Sequence, residues 1–464
     1  MKTAADPWWM LALTCGLGGL QVLWTTMQSN GTSFLLSLGL PAPLTAFAWV
    51  SAPLAGTFVY PWMGSLSDRC KSRYGRRRPF ILLGAVAAVL LLASLAWVET
   101  VTRALCLPLG VDEPMVQRVI PVTALILIWL LNFAIQPLQM GLRALSVDVC
   151  PGTEQARANA WATNCIGVGR ILGYVSAYSV RLGPTPAEQF QAMALIAILC
   201  LCATVAYCCA VIEESHHTPQ ATSTRLAMSP RRWLSVYRAL PSGFRLLCQA
   251  QVWAWMAWFS FLYYSTIYIE TLNKMSFQFS GNIIVSTQQG VVFGLAFAIV
   301  ALGTALTLHG LMNRSKSKHE QALARYGIWK LLAGSHVTFG CVLLATILVD
   351  QWIPSAVILC LCGIPWSLLL WAPYTIIGSE FAGFNGDPDG CAERIEARNL
   401  DIGVVLSVHN ICISLPQVFA AVLDGGIIWA AGRMGSQNSA GWVLRLGAAG
   451  PLIAAYLTIK MVRY

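Results

Sequence analysis

Charge is what this sequence has least of. Asp, Glu, Lys and Arg together make up 11% of its 464 residues, against roughly 25% in an average soluble domain. Acidic residues are scarcer than basic ones, 20 against 30, for a net charge of +10. Long polar stretches are scarce too, the longest running from Glu213 to Arg245. These shortages exclude an ordinary soluble domain. They also exclude a nucleic-acid footprint, because the basic residues gather in a few short loops rather than along a stripe. Catalytic signatures are missing as well. There is no zinc-ligand helix, no phosphate loop and no Ser or Cys nucleophile constellation, so no enzyme activity, metal or cofactor is implied. The 15 cysteines sit mostly inside apolar runs, as Cys200, Cys202, Cys208, Cys209, Cys360 and Cys362 do. Cys362 has no C-x-x-C companion, and the set reads as small buried hydrophobes. A cleavable leader is not evident: Met1 to Pro7 holds only Lys2 before the first apolar run, which reads as a retained span.

What is there is apolar. Hydrophobic residues make up 56% of the chain, and a span needs about 20 of them in succession. Runs near 8–28, 43–64, 79–98, 119–143, 159–180, 189–211, 246–269, 284–309, 329–349, 352–378, 400–423 and 440–461 give about twelve spans. They are continuous rather than alternating, which favours helices over a barrel. The basic residues orient them. Arg69, Lys71, Arg73, Arg76, Arg77 and Arg78 follow span 2. Arg225, Arg231, Arg232, Arg238 and Arg245 follow span 6, and Arg314, Lys316, Lys318, Arg325 and Lys330 follow span 8. All three loops follow even-numbered spans and so share one side, expected to be cytoplasmic together with both termini. The polar stretch after span 6 divides the chain into an N-terminal bundle (1–211), a central cytoplasmic loop (212–245) and a C-terminal bundle (246–464). Two six-helix halves around such a loop are the organisation of many secondary transporters. Asn30-Gly31-Thr32 has the form of a glycosylation sequon.

The motifs narrow the class. Gly64-Ser-Leu-Ser-Asp68-Arg69 leads into Arg73-Tyr-Gly75-Arg76-Arg77-Arg78-Pro79. Gly75 suits an unusual backbone angle, Pro79 suits a helix start, and Asp68 can pair with the arginines. This stretch resembles the loop 2–3 signature of the major facilitator superfamily, and its triple-Arg-Pro ending is similar to the sucrose transporter branch of the glycoside–pentoside–hexuronide group. Trp49-Val-Ser-Ala-Pro53-Leu-Ala-Gly56, Arg143-Ala-Leu-Ser-Val-Asp148, Ala158-Asn159-Ala160-Trp161 and Gly169-Arg170-Ile-Leu-Gly173-Tyr174 resemble the same branch. So do Gly363-Ile-Pro365-Trp366, Trp371-Ala-Pro373-Tyr374, Gly403-Val-Val-Leu, His409-Asn410 and Pro416-Gln417, with a fungal flavour in His-Asn. The resemblance implies an all-α polytopic membrane protein of two six-helix bundles. It would move sucrose, maltose or related α-glucosides by alternating access, together with a proton. The implied partners are a small sugar or glycoside, protons and the lipid bilayer, with no nucleic acid and no obligate protein partner. The plasma membrane is the expected location and the vacuolar membrane the alternative.

Two positions depart from that pattern. The branch carries an Asp in span 4, eleven residues before the Arg of Arg-Ala-Leu; here that position is Asn132, which cannot titrate. Met27, with Gln28 beside it, takes the place of a span 1 Glu found in fungal and animal relatives. Asp148, Glu270, Glu380 and Asp424 fall near the ends of the expected spans, which leaves His309, His336 and His409, with His409 the candidate proton site. Arg170 stands mid-span where the family pattern has Asn. It either pairs with Asp148 or backbone carbonyls, or adds a fixed positive charge that favours an anionic solute. Arg143 and Asp148 are five apart on one helix and face differently. The resemblance implies that Arg143 helps hold substrate hydroxyls or shape the site. Asp148 joins Asp68, Arg69, Arg73, Arg76 and Arg77 as a conformational latch. The remaining candidates are Trp24, Trp258 and Trp371 as stacking faces for a sugar, and Gln21, Gln136, Gln139, Asn132, His409 and Asn410 as hydroxyl partners; amides and tryptophans inside spans serve helix packing equally well. Three readings stay open: a sugar carrier, a carrier of another solute that uses Arg170, and a non-transporting sugar sensor.

Overall fold

A segment crossing lipid can satisfy its backbone only through its own hydrogen-bond ladder, so each apolar run is driven into a helix. The computed structural model describes residues 6–151, 154–179, 185–214, 230–278, 288–314, 318–384 and 402–462. In chain order the helices are α1 (Pro7–Ser37), α2 (Ala42–Asp68), α3 (Arg78–Ala96), α4 (Val98–Cys106), α5 (Glu113–Val149), α6 (Gln155–Ser179), α7 (Pro186–Val211) and α8 (Pro230–Ala239). They continue with α9 (Ser242–Gln278), α10 (Gln288–Arg314), α11 (Lys318–Ala345), α12 (Trp352–Cys360), α13 (Gly363–Phe384), α14 (Ile402–Arg433), α15 (Ser439–Gly447) and α16 (Ala449–Val462). No strand occurs among the described residues.

Among the described residues, nine segments are long and apolar enough to cross a membrane, counting Trp352–Gly378 as one and Ser439–Lys460 as another. Helices α2, α6 and α9, of 27, 25 and 37 residues, are also long enough to cross. The two broken segments have one cause. Pro365 and Pro451 lack an N–H, so the carbonyls of Leu361 and Gly447 lose their i+4 donors and the helix is interrupted beside them. Short α4 and α8 lie in stretches read from the sequence as loop.

Several helices overrun the apolar runs that announce them. α1 continues nine residues past 28 to Ser37, through the Asn30-Gly31-Thr32 triplet. That triplet is therefore helical, and Thr32 Oγ1 accepts a 3.1 Å bond from Trp49 Nε1, which is not the surface loop a glycan acceptor needs. α14 continues past 423 to Arg433, so Asp424 lies inside a helix rather than at its end. Segment 215–229 of the central loop, Lys316, and the side chains of Arg232, Arg314, Lys318, Arg325 and Glu380 lie outside the described residues.

The chain packs as two compact units. One comprises Met1–Val149 with Val168–Leu226, the other Cys150–Gly167 with Ala227–Tyr464, so α6 is shared between them. In the first unit α1 packs on α7, and α5 on α2 and α3. Gly169 of α6 is a necessity of close approach, because a Cβ there would collide with the Gly18 carbonyl of α1. In the second unit α9 is the hub against α14, α15 and α16. Its core is aromatic: Trp258 stacks on Phe339 at 3.9 Å and meets Trp366 edge-on at 4.9 Å and Phe261 at 5.3 Å.

Candidate functional site

Two groups of buried polar side chains stand out in the first unit. One runs along α5. Asn132, Gln136, Gln139 and Arg143 recur at spacings of four and three, which puts them on one helix face. Asn132, Gln136 and Arg143 are buried, and Gln139 is half-buried. Asn132 ties α5 to α2: its Nδ2 donates to Ser51 Oγ at 2.7 Å and to Ile128 O at 3.1 Å. Gln136 Nε2 donates to Asn132 O at 3.0 Å. Asn132 therefore acts as a neutral donor, and Ser51, which gives its own hydrogen to Ala48 O at 2.6 Å, is set to accept.

On α1, Gln21 and Trp24 are both half-buried, and Gln21 Nε2 donates to Thr25 Oγ1 at 3.2 Å. Gly173, one turn from Gly169, lies against Thr25, so the stretch of α6 carrying Arg170 runs against α1 at Gln21 and Thr25. Arg170 is 3% exposed and interacts with the Tyr174 hydroxyl one turn along its helix. Both oxygens of Asp148, the partner considered for it, are taken up by Arg76 and Arg77.

The second group is the loop between α2 and α3. Arg77 is fully buried. Its Nε meets Asp148 Oδ2 at 2.7 Å, its Nη2 pairs with Asp68 Oδ1 at 2.6 Å, and its Nη1 donates to Ser67 Oγ at 3.0 Å. Arg76 grips Asp148 with both arms, Nε at 3.1 Å and Nη2 at 2.6 Å. Burial works against the charge on Arg77, but the carboxylates of Asp148 and Asp68 outweigh it and raise its pKa above that of a free arginine. Two members of the expected latch lie outside this network. Arg69 is exposed and makes no ion pair among the described residues, and Arg73 turns to Tyr74, donating to its hydroxyl at 2.6 Å and lying over its ring.

Sequence reasoning missed the residue that closes the network. Glu214, just past α7, accepts from three successive backbone N–H groups: Arg76 at 2.8 Å, Arg77 at 3.0 Å and Arg78 at 2.9 Å. α3 has no side-chain cap of its own, so this carboxylate supplies the missing acceptor and meets the positive end of the helix. Gly75 has φ +103, and a Cβ on it would sit 2.5 Å from Glu214 Oε1. The one available signal was an acidic pair, Glu213-Glu214, in a chain short of acid.

In the second unit the predicted residues scatter. Trp258, expected as lining, is wholly buried in the aromatic core. Trp371 is also wholly buried, and its Nε1 donates to Ala156 O at 3.0 Å. His409, 1% exposed, meets Tyr374 edge-on at 5.3 Å, and Asn410 Nδ2 donates to Ser414 Oγ at 3.3 Å. Two further pairings carry no sequence signal. Asn164 Nδ2 lies 3.4 Å from His309 Nδ1, with Trp161 edge-on to the same ring at 5.2 Å. Ser260 Oγ donates to both oxygens of Asp424, at 2.9 and 2.8 Å.

No cluster of metal-ligating side chains occurs among the described residues. Cys150, outside the spans, is held protonated, its pKa pushed up to about 12 by burial and by Glu154, so it offers no ready nucleophile. What remains in the first unit is a set of neutral donors and acceptors together with the buried guanidinium groups of Arg143 and Arg170.

Comparison with known proteins accords with this arrangement. A sequence profile of the Major Facilitator Superfamily matches residues 10–421. The general alpha-glucoside permease of Schizosaccharomyces pombe is 28% identical over 97% of this chain and 92% of its own length. The sucrose transport protein SUC4 of Arabidopsis thaliana is 24% identical over 88% and 81%. A bacterial homologue of the iron transporter ferroportin, in an outward-facing state, superposes with a TM-score of 0.64 at 13% identity, over 98% of this chain and 99% of that one. The Escherichia coli xylose transporter XylE, partially occluded and inward open, gives 0.62 at 14% identity over 98% and 97%. At such identities the structures share the fold only. Twelve long helical segments among the described residues, few charges and a match across most of the length make this a multi-pass membrane transporter and not an enzyme, and the chain belongs to the Major Facilitator Superfamily.

Proposed function

We propose that this protein carries sucrose or a related α-glucoside across a membrane by alternating access. The two halves would be 1–211 and 246–464, joined by 212–245. The observation that carries the reading is the similarity to an alpha-glucoside permease along nearly the whole chain. It is supported by the neutral, hydrogen-bonding face of α5. Gln21, Gln136, Gln139 and Arg143 are the residues assigned to sugar hydroxyls, with Trp24 as the stacking face. Asn132, His409, Asn410 and Trp371 are assigned to shaping the site. Asp68, Arg76, Arg77 and Asp148 form the latch, on the side that the basic loops make cytoplasmic; both termini share that side, and the plasma membrane is the proposed location. The test is uptake of labelled sucrose and maltose into liposomes holding the purified protein. Saturable uptake, lost in Gln136→Ala at matched protein content, supports the reading. Absence of uptake for both sugars rejects it.

Arg170 favours a second reading. A guanidinium 3% exposed in the first unit is a costly choice for a neutral solute and a useful one for an anion such as a uronide. Under that reading Arg170→Asn loses uptake of the anionic solute while the neutral sugar is unaffected. Equal loss for both, with lowered stability, makes Arg170 a packing element.

A further inference from the structure

Coupling to a proton gradient requires a group whose charge changes within the protein, and Asn132 removes the expected one from α5. The second unit contains another. Asp424 is 4% exposed. It lies well inside α14, and its partner Ser260 is the middle residue of the 37-residue α9. We propose that Asp424, switched through Ser260, is the proton-carrying site that couples solute movement to a proton gradient. The proposal rests on the carrier reading above and deepens it.

Three observations carry it. First, the carboxylate is under-bonded. Two oxygens offer about four acceptor positions, and among the described residues they receive one hydroxyl hydrogen, shared at 2.9 and 2.8 Å. Second, no ion pair to Asp424 occurs among the described residues, and a buried charge without a counter-charge is costly. α14 packs against α8, α9 and α15. Of their ionisable groups, Tyr264 of α9 interacts with Asp424, while its neighbour Tyr263 packs on Phe259 at 4.6 Å. Arg445 of α15 donates to Thr346 O at 2.9 Å and lies over the Trp442 ring. Tyr237 of α8 is held by Gln249 at 3.0 Å. Arg433, at the end of α14 itself, lies over Trp429. Third, in both protonation states every hydroxyl hydrogen of the pair has an acceptor. In the charged state Ser260 donates to Asp424. In the neutral state the acid donates to Ser260 Oγ, which turns its hydrogen to Met256 O, already at 3.3 Å. One rotation of a hydroxyl thus serves both states. Two carboxylate oxygens and one hydroxyl are too few ligands for a hard metal cation.

The test uses purified full-length protein in liposomes with labelled sucrose. An inward gradient of about one pH unit is worth about 1.36 kcal/mol, so one-to-one coupling accumulates sucrose about tenfold. The wild type is expected to reach that ratio. Asp424→Asn is expected to bring sucrose only to equal concentrations while retaining sucrose exchange, and Asp424→Glu to recover part of the accumulation. In infrared difference spectra the wild type should show a carboxylic-acid C=O band that titrates and is absent in Asp424→Asn. Ser260→Ala keeps the carboxyl but removes the relay, so the pH profile of accumulation should be displaced. Full accumulation by Asp424→Asn overturns the proposal, as does a Ser260→Ala profile that overlays the wild type. Wild-type uptake that only equilibrates, with no Asp424-dependent band, also overturns it and leaves the sugar reading standing. A titrating Asp424 band in a protein that moves no sugar supports the proton site and sinks the sugar reading instead.

Discussion

The Glu214 clamp can be measured by a double-mutant cycle with Gly75. Glu214→Ala removes the carboxylate that accepts from the backbone N–H groups of Arg76, Arg77 and Arg78 at 2.8 to 3.0 Å. Bonds to a charged group are worth about 1.5–3 kcal/mol each when buried. This site is half-buried and water replaces part of the loss, so the set is worth about 2–4 kcal/mol. Gly75→Ala carries two costs. A non-glycine residue at φ +103 is strained by about 1–3 kcal/mol. The new Cβ, 2.5 Å from Glu214 Oε1 and 2.6 Å from its Cδ, also forces the carboxylate off its donors. With the clamp already gone, the second cost vanishes. The double variant is therefore expected to be about 2–4 kcal/mol more stable than the sum of the single effects. Unfolding of the four proteins by denaturant in detergent micelles measures this. Additivity within about 0.5 kcal/mol would refute the clamp and reduce Gly75 to a turn residue.

Three further outcomes follow from the same geometry. Asp148→Asn leaves the fully buried Arg77 with Asp68 as its remaining carboxylate and should cost about 3–5 kcal/mol by unfolding, whereas Arg69→Ala, at an exposed arginine without an ion pair, should stay within about 0.5 kcal/mol. Asn132→Asp places a carboxylate against Ser51, whose hydrogen is committed to Ala48 O; sucrose uptake should become more dependent on pH, and an unchanged profile would remove Asn132 from the solute path. Trp258→Ala should destabilise by about 3–5 kcal/mol through cavity formation, with sucrose KM unchanged in whatever protein folds; a selective rise in KM would return it to the binding site.

The spans were legible because about 20 apolar residues in succession leave few alternatives, and charge pointed to the ion-pair network of Asp68, Arg76, Arg77 and Asp148, since arginines and aspartates are rare here. Helix ends were not legible, because a helix extends through polar residues when neighbours satisfy them, as Trp49 does for Thr32. Asp424 was hidden by the same rule: a carboxylate followed by Gly425-Gly426 reads as the end of an apolar run, yet α14 continues to Arg433. Glu214 was hidden by distance, lying 138 residues from the first N–H it caps. Trp258 and Trp371 lie in segments that resemble the sugar-carrier pattern, and only the packing separates a core ring from a lining one.

Burial of charge by itself does not mark function in this chain; the partners decide. Arg77 is the most deeply buried guanidinium of the loop, but Asp68 and Asp148 neutralise it and Ser67 takes up a further arm. A group so fully matched has one protonation state and one geometry, which suits a strut. Asp424 is almost as buried and is met by one hydroxyl that can face either way. Its charge is not matched, so the cost of carrying it is relieved by protonation rather than by a neighbour. Substitution at Arg77 should therefore appear first as loss of folded protein, and substitution at Asp424 as loss of coupling in protein that still folds. Should Asp424→Asn unfold the protein as readily as Arg77→Ala, the distinction between strut and switch fails.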